Sequence, residues 1–239
     1  MLPFWIALQF LSSLPVRLPG MPSPEASGRS LLFYPAVGLL FGVLLWVANA
    51  LLAGTPLLLH AALLLALWVV LSGGLHLDGL ADSADAWLGG FGDRERTLLI
   101  MKDPRSGPMA VVTLVLVLLL KFCALLALLE QGQQAALLMA PVLARAAMLG
   151  LFMGTPYVRA GGLGQALADH LPRGAGSWVL AAVAFASLGF CGFWISLSAL
   201  VGFMALRRQM IRRLGGTTGD TAGAMLELLE LLVLLVAAL

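Results

Sequence analysis

The sequence has 239 residues, of which 61% are hydrophobic and only 11% are charged. A soluble domain carries about 25% charged residues, so this chain cannot cover a globular surface with solvated groups, and much of its surface must face lipid. The net charge of +2 gives no support for a nucleic-acid partner. Because no proline-rich, serine-rich or charged linker divides the chain, we predict one membrane-embedded domain over residues 1–239.

Apolar segments approach the length that crosses a bilayer, about 20 residues, at several places along the chain. The first 14 residues are apolar without a basic region, which predicts an interfacial N-terminal helix. We therefore predict an all-α fold, a polytopic integral membrane helical bundle of six to seven hydrophobic elements. The predicted spans are residues 31–53, 57–71, 109–129, 135–153, 177–206 and 222–239.

Basic residues indicate the side of the membrane on which each loop lies. Arg17 and Arg29 precede the first span, and four more basic residues follow the second, so both regions lie on one side. By the positive-inside rule this side is cytoplasmic. A single crossing by residues 177–206 would place the arginines of 207–213 outside. We therefore favour a bent hairpin through residues 189–192.

An acidic segment follows the second span. Asp78, Asp82 and Asp85 have i, i+4 and i+7 spacing, which places them on one stripe of a helix about 60° wide. Like charges on one helix face repel each other, and ionised carboxylates near a bilayer are costly. A bound Mg²⁺ or Mn²⁺ removes both objections. The alternative is a solvated turn whose acids pair with neighbouring basic residues, but the stripe and its apolar neighbours favour the metal.

Two loops have the composition of phosphate sites. Residues 101–107 offer Lys102 and Arg105 beside glycine and proline. Residues 214–220 form a Gly/Thr loop before a helix, where backbone N–H groups and hydroxyls can hold a phosphate. The same loop could be a structural turn with Asp220 as N-cap.

Other polar residues lie near the spans. Glu227 follows Asp220 at i+7, which predicts a second acidic stripe. Arg145 lies within the fourth predicted span and Arg159 follows it, and charges there are costly enough to indicate function. His76 is either a structural hydrogen-bonding group or a candidate base.

These motifs together resemble one family, the cobalamin synthases, or adenosylcobinamide-GDP ribazoletransferases, of bacterial and archaeal inner membranes. The resemblance covers nearly the whole chain, and the His-Leu-Asp-Gly-Leu-Ala-Asp and Thr-Gly-Asp motifs are highly specific. The similar segments are residues 9–15, 33–38, 73–85, 101–107, 141–145 and 215–220.

The resemblance implies a reaction and a site. An α-ribazole hydroxyl, or that of its 5′-phosphate, attacks the corrinoid-side phosphate of adenosylcobinamide-GDP, and GMP leaves. The implied partners are both substrates and the lipid bilayer of the bacterial inner membrane, with a homo-oligomer or other cobalamin-assembly enzymes as further expectations. The implied metal ligands are Asp78, Asp82, Asp85, Asp220 and Glu227; the proton acceptor is Asp82, Asp85 or His76; and the substrate contacts are Lys102, Arg105, Arg145, Gly215, Gly216, Thr218 and Gly219.

Two other functions remain open at this point. A phosphatidyltransferase of the CDP-alcohol type would use the same chemistry on a lipid substrate. A transporter or Mg²⁺ channel would need acids spread through several spans, whereas these acids cluster at span boundaries.

Overall fold

The computed structural model describes residues 1–159 and 161–239, and in these ranges the chain is helical without a β-strand. The predicted all-α fold is confirmed. A 3₁₀ turn at Leu31–Phe33 leads into the third helix. The helices are α1 (Leu2–Leu11), α2 (Pro24–Ser30), α3 (Tyr34–Leu51), α4 (Leu57–Ser72), α5 (Leu75–Gly89), α6 (Arg94–Ile100), α7 (Pro108–Gln131), α8 (Ala135–Gly154), α9 (Leu163–Asp169), α10 (Arg173–Leu214) and α11 (Gly219–Ala238).

Long apolar helices make this a membrane protein. Five helices in the described ranges are long and apolar enough to cross a bilayer, or six if the bent pair α4–α5 is one span. Large apolar side chains are exposed along α3, α4, α7 and α10, where they would contact lipid rather than water. The predicted polytopic bundle with a short N-terminal helix is confirmed.

The 42-residue helix α10 is a hairpin rather than one long rod. Gly192 has φ 80° and ψ 179°, outside the helical region. The Ser196 hydroxyl donates a hydrogen bond to the Ser187 hydroxyl at 3.0 Å. In a continuous helix these residues would be about 13.5 Å apart along the axis, so the chain reverses direction at Gly192.

Both ends of α10 accordingly lie beside the C-terminus of α8. A Cβ on Gly176 would lie 2.7 Å from the Met153 sulfur, and Arg207 Nε donates to Thr155 Oγ1 at 2.9 Å. The predicted bent hairpin is confirmed, and it returns the arginines of 207–213 to the end of the bundle where α10 begins.

The charges are divided unevenly between the two ends of the bundle. We call the end that contains the start of α3, the start of α7 and the end of α8 the charged end. Twelve of the 14 basic residues lie there, and the other two, Lys121 and Arg145, are buried. At the opposite end the only charged side chain among the described residues is Glu130. There Gln131 Nε2 donates to Ala238 O, and Trp46 Nε1 donates to Gln134 Oε1.

Small residues let the central helices approach closely. Gly38 and Gly42 form a Gly-x-x-x-Gly pair on α3, and a Cβ on either would collide with a backbone carbonyl of α8, at Pro141 and Leu138. This is a common packing device between membrane helices, since lipid offers no hydrophobic driving force for their association. Helix α11 packs against α5, α7, α8 and α10 and is the centre of the bundle.

A sharp bend positions the acidic helix. Gly73 and Gly74 both have positive φ, 63° and 72°, and α5 leaves α4 at 88°. Side chains other than glycine rarely adopt this left-handed backbone conformation. The bend therefore directs α5 across the charged end, where it packs against α7 and α11.

The hairpin predicts the result of cysteine labelling from the two sides of the membrane. In a background without native cysteines (Cys123→Ser, Cys191→Ser), we expect an impermeant thiol reagent to label Gly189→Cys from the same side as Gln133→Cys. Arg208→Cys should be labelled only from the other side, because each arm of α10 is long enough to cross a core about 30 Å thick. Labelling of Gly189→Cys and Arg208→Cys from the same side would contradict the hairpin.

Candidate active site

The acidic segment is helical, as its spacing predicts, and it meets the start of α11. Among the described residues, neither Asp78 nor Asp82 accepts a side-chain hydrogen bond; Asp78 is exposed and Asp82 half-buried. Gly79 lies against α11, where a Cβ would be 2.8 Å from Asp220 O. This close approach brings Asp78 and Asp220 within electrostatic range of Asp82.

Asp85, on the same stripe, has a different task. Its carboxylate accepts the Gly107 N–H at 2.5 Å and the Ala110 N–H at 3.0 Å. It therefore satisfies free donors at the start of α7, where the positive end of the helix dipole stabilises a carboxylate. The prediction that Asp85 is a metal ligand or base is not favoured, because both of its oxygens already hold α7 in place.

The Gly/Thr loop before α11 is built around a helix cap. Thr218 Oγ1 accepts the Thr221 N–H at 3.2 Å, and Thr221 Oγ1 accepts the Thr218 N–H at 2.9 Å. Thr218 is fully buried, so its hydroxyl serves as the N-cap rather than as the predicted phosphate contact. Because Thr218 occupies the cap, the Asp220 carboxylate is free to accept a hydrogen bond from Arg159 Nη1 at 2.7 Å.

The glycines of this loop have separate roles. Gly215 ends α10 with φ 75°, and a Cβ on Gly216 would collide with Pro156 O. Gly219 is exposed and lines the cavity described below. Only Gly219 of the three is placed to contact a substrate directly.

The segment of residues 156–159 pairs with this loop, although the sequence did not predict that it would form part of the site. The Val158 N–H donates to Thr217 O at 2.9 Å, and the Thr217 N–H donates to Pro156 O at 2.8 Å. This short parallel bridge brings Tyr157 and Arg159 to the acids. Arg159 carried a signal as a charge next to a span, but Tyr157 carried none. Burial raises the pKa of the Tyr157 hydroxyl, which keeps it protonated.

These elements enclose a cavity of about 340 Å³ at the charged end. Asp78, Asp220 and Arg159 line one part of it, and apolar and aromatic side chains line the rest. Small-molecule sites commonly have this form, a concave and mostly apolar wall with a few polar groups.

His76 also lines the cavity. It is 2% exposed, and neither ring nitrogen has a hydrogen-bond partner within the described ranges. Gly223 of α11 packs against it, with a built Cβ 3.3 Å from His76 Cα. A buried imidazole without a partner is costly, which indicates that a ligand or water completes its bonding.

Deeper in the bundle, four charged side chains form a closed group, which we call the buried charge cluster. Lys121 Nζ lies 2.6 Å from Glu227 Oε2 and 2.8 Å from Glu230 Oε2, and Arg145 Nη1 lies 2.9 Å from Glu230 Oε1. All four are at most 4% exposed. Two cations and two anions make the cluster neutral.

The cluster corrects two predictions. Glu227 is two turns from Asp220 on α11 and pairs with Lys121, so it is not part of a metal site with Asp220. Arg145 is 0% exposed and also stacks over Phe41, 4.3 Å from the ring centroid, so it does not reach a phosphate in the cavity. Its charge balances Glu230 instead.

The loop of residues 101–107 borders the same region. Met101 is buried against the α11 cap, with its sulfur 3.3 Å from Thr218 Oγ1. Lys102 follows at once and is exposed. Arg105 pairs with Asp103 at 2.7 Å, and hydrogen bonds from Arg105 lower the pKa of Asp103 to about 2. Both predicted cations are thus at the charged end, with Arg105 held by its neighbour.

Comparison with known proteins shows the family of the chain. A family model described as "Cobalamin-5-phosphate synthase" matches residues 3–238. The chain belongs to this family. Proteins named "Adenosylcobinamide-GDP ribazoletransferase" from Pseudomonas fluorescens, Pseudomonas savastanoi and Pseudomonas putida are 76%, 73% and 74% identical over 100% of the chain and 99–100% of their own lengths. No solved structure matches. The resemblance to the cobalamin synthases is confirmed, and with it the prediction that the chain is a transferase.

The buried charge cluster of this family member can be tested by removing one charge and then its partner. We expect Lys121→Met to lower the unfolding temperature strongly, because it leaves Glu227 buried without a counter-charge. The double variant Lys121→Met/Glu227→Gln keeps the neutral Arg145–Glu230 pair and should recover most of the loss. Thermal unfolding in detergent measures both. A double variant no more stable than Lys121→Met would contradict the pairing.

Proposed function

We propose that the chain joins adenosylcobinamide-GDP to α-ribazole, or to its 5′-phosphate, and releases GMP. The observation that carries the proposal is the grouping of Asp78, Asp220 and Arg159 at one cavity, with Asp82 within electrostatic range of both acids. The relatives of the chain are named for this transfer. The products are adenosylcobalamin, or its phosphate, and GMP.

The carboxylates at the cavity suit a divalent cation, provided that water and substrate phosphates supply most of its ligands. Among the described residues, no three His, Cys, Asp or Glu side chains converge to enclose an ion. Mg²⁺, however, is usually held by one or two carboxylates, several waters and the substrate phosphates. One or two carboxylates from Asp78, Asp82 and Asp220 fit that pattern, since the first two have free oxygens and all three lie around Gly79. When bound, Mg²⁺ or Mn²⁺ would neutralise charge on the diphosphate.

The side chains divide the remaining work. Asp82 is half-buried, has no hydrogen-bond partner among the described residues and is best placed to accept the proton of the attacking ribose hydroxyl. The new bond joins that oxygen to the corrinoid-side phosphorus, and the bond from phosphorus to the oxygen of the departing GMP breaks. Arg159 and Lys102 supply positive charge to the phosphates, because such transfers depend mainly on positioning and charge stabilisation.

The charge distribution supports a cytoplasmic site. Twelve of the 14 basic residues lie at the charged end, which by the positive-inside rule faces the cytoplasm of the bacterial inner membrane. The site lies at the same end. The transport alternative gains no support, since the acids at membrane depth are both paired in the neutral buried charge cluster.

Substitution of single carboxylates tests the site. We expect Asp82→Asn and Asp78→Asn each to lower GMP release from adenosylcobinamide-GDP and α-ribazole by roughly 100-fold or more, since proton transfer and phosphate charge balance both suffer. The unfolding temperature should change little. Glu130→Gln, an exposed acid at the opposite end, is the matched control. Full activity in Asp82→Asn would overturn the assignment.

Removal of divalent cations tests the metal separately. A chelator should abolish GMP release by the purified protein, and Mg²⁺ or Mn²⁺ should restore it. The reason is that carboxylates and a diphosphate repel each other unless a cation lies between them. Asp78→Asn should raise the Mg²⁺ concentration needed for half-maximal rate. Undiminished release in chelator would show that the acids work without a metal.

A further inference from the structure

The cavity has two chemically different parts. Asp78, Asp220 and Arg159 form a charged part at the junction of α5 and α11. The remainder lies against α1, the end of α8 and the segment that follows it, and its side chains carry no charge. The charged part suits phosphates, and the uncharged part requires a different ligand group.

Three aromatic rings line the uncharged part, together with aliphatic side chains. Phe152 and Tyr157 are stacked with their centroids 6.1 Å apart and their planes at 21°. Phe10, from α1, is a third ring lining the same space. The Tyr157 ring rests on bare backbone, since a Cβ on Gly162 or Gly164 would collide with it. Flat rings set around a narrow space favour a planar ligand group.

The two substrates of the proposed reaction offer different groups to such a space. A cavity of about 340 Å³ is too small for a whole corrinoid, which leaves the guanine base or the dimethylbenzimidazole of α-ribazole. Guanine presents several hydrogen-bond donors and acceptors along its edges, and burying them without partners is costly. Among the described side chains outside the charged part, only the Tyr157 hydroxyl and the His76 ring can pair with them, which is fewer groups than guanine presents. Dimethylbenzimidazole carries two methyl groups and a single acceptor nitrogen outside the glycosidic bond.

We infer that the aromatic part of the cavity, formed by Phe10, Phe152 and Tyr157, binds the base of α-ribazole and is the specificity-determining subsite for the nucleophile. This inference rests on the proposed function. The ribose then points toward Asp78 and Asp220, which brings its hydroxyl to the acidic group that also contains Asp82. The corrinoid remains outside the cavity, with its diphosphate at the charged part.

The buried histidine fits the same occupant. His76 has two ring nitrogens without partners in the described ranges, and it lines the cavity beneath the junction of the two parts. One neutral imidazole N–H matches the one free acceptor of the benzimidazole, or a ribose hydroxyl beside it. An empty apolar subsite would leave this group unsatisfied.

Direct binding tests the subsite without relying on turnover. In equilibrium dialysis with detergent-solubilised protein, Tyr157→Leu and Phe10→Leu should each raise the Kd of α-ribazole roughly tenfold, because stacking on the base is lost. The Kd of GDP should stay within about twofold of the wild-type value. Tyr157→Phe keeps the ring and should bind α-ribazole like the wild type. Phe203→Leu, in the separate apolar groove between α8 and α10, is the matched control.

The outcomes separate the subsite from the reaction. Weaker GDP binding with unchanged α-ribazole binding in both leucine variants would overturn the inference and assign the rings to guanine. So would GMP release by a wild-type protein that shows no α-ribazole binding. If α-ribazole binds in the expected pattern but the wild type releases no GMP, the proposed function fails while the subsite stands. In steady-state assays, the leucine variants should raise KM for α-ribazole and leave KM for adenosylcobinamide-GDP unchanged.

Discussion

The cost of placing charge inside a membrane is the constraint on which the rest of this structure depends. Four buried side chains meet this constraint together: Lys121, Arg145, Glu227 and Glu230. Their charges cancel, and three nitrogen–oxygen pairs among them lie within hydrogen-bond distance. The cluster connects α7, α8 and α11, and only a narrow range of axial positions of α11 keeps both glutamates paired. Since Asp220 is on the same rigid helix, the cluster also fixes the height at which Asp220 meets α5.

Close approach of backbones then completes the site. At Gly79 and at Gly223 the backbones of α5 and α11 lie in close contact. At Gly216 the loop before α11 lies equally close to the backbone of the segment after α8. Each contact leaves no room for a Cβ without displacement or tight crowding of a neighbour. A membrane protein gains little from burying apolar side chains against one another, so such tight contacts carry more of the packing energy than in water. The carboxylates consequently lie on helices rather than loops, and their positions are rigid.

Much of the fold could be predicted because the relevant signals are local. Span lengths follow from apolar runs, the α10 hairpin from glycines and the cost of external arginines, and the acidic stripe from helical periodicity. The role of each acid could not be predicted in this way. The role of Asp85 depends on N–H groups 22 and 25 residues away, and that of Glu227 depends on a lysine 106 residues away. Tyr157 is in the site only because its segment pairs with residue 217, and no local sequence pattern predicts that pairing.

Asp82 and Asp85 show how far one periodic motif can mislead. They are less than one turn apart on α5 and lie on the same stripe. The carboxylate oxygens of Asp82 are free, whereas those of Asp85 accept N–H groups at the start of α7. Loss of Asp85 would shift the start of α7 and hence the loop that carries Lys102, so it would lower activity without any contact to metal or substrate. Activity alone therefore cannot separate a ligand from a residue that positions one. The separation requires stability and metal dependence to be followed together, because a helix cap changes the first and a metal ligand the second.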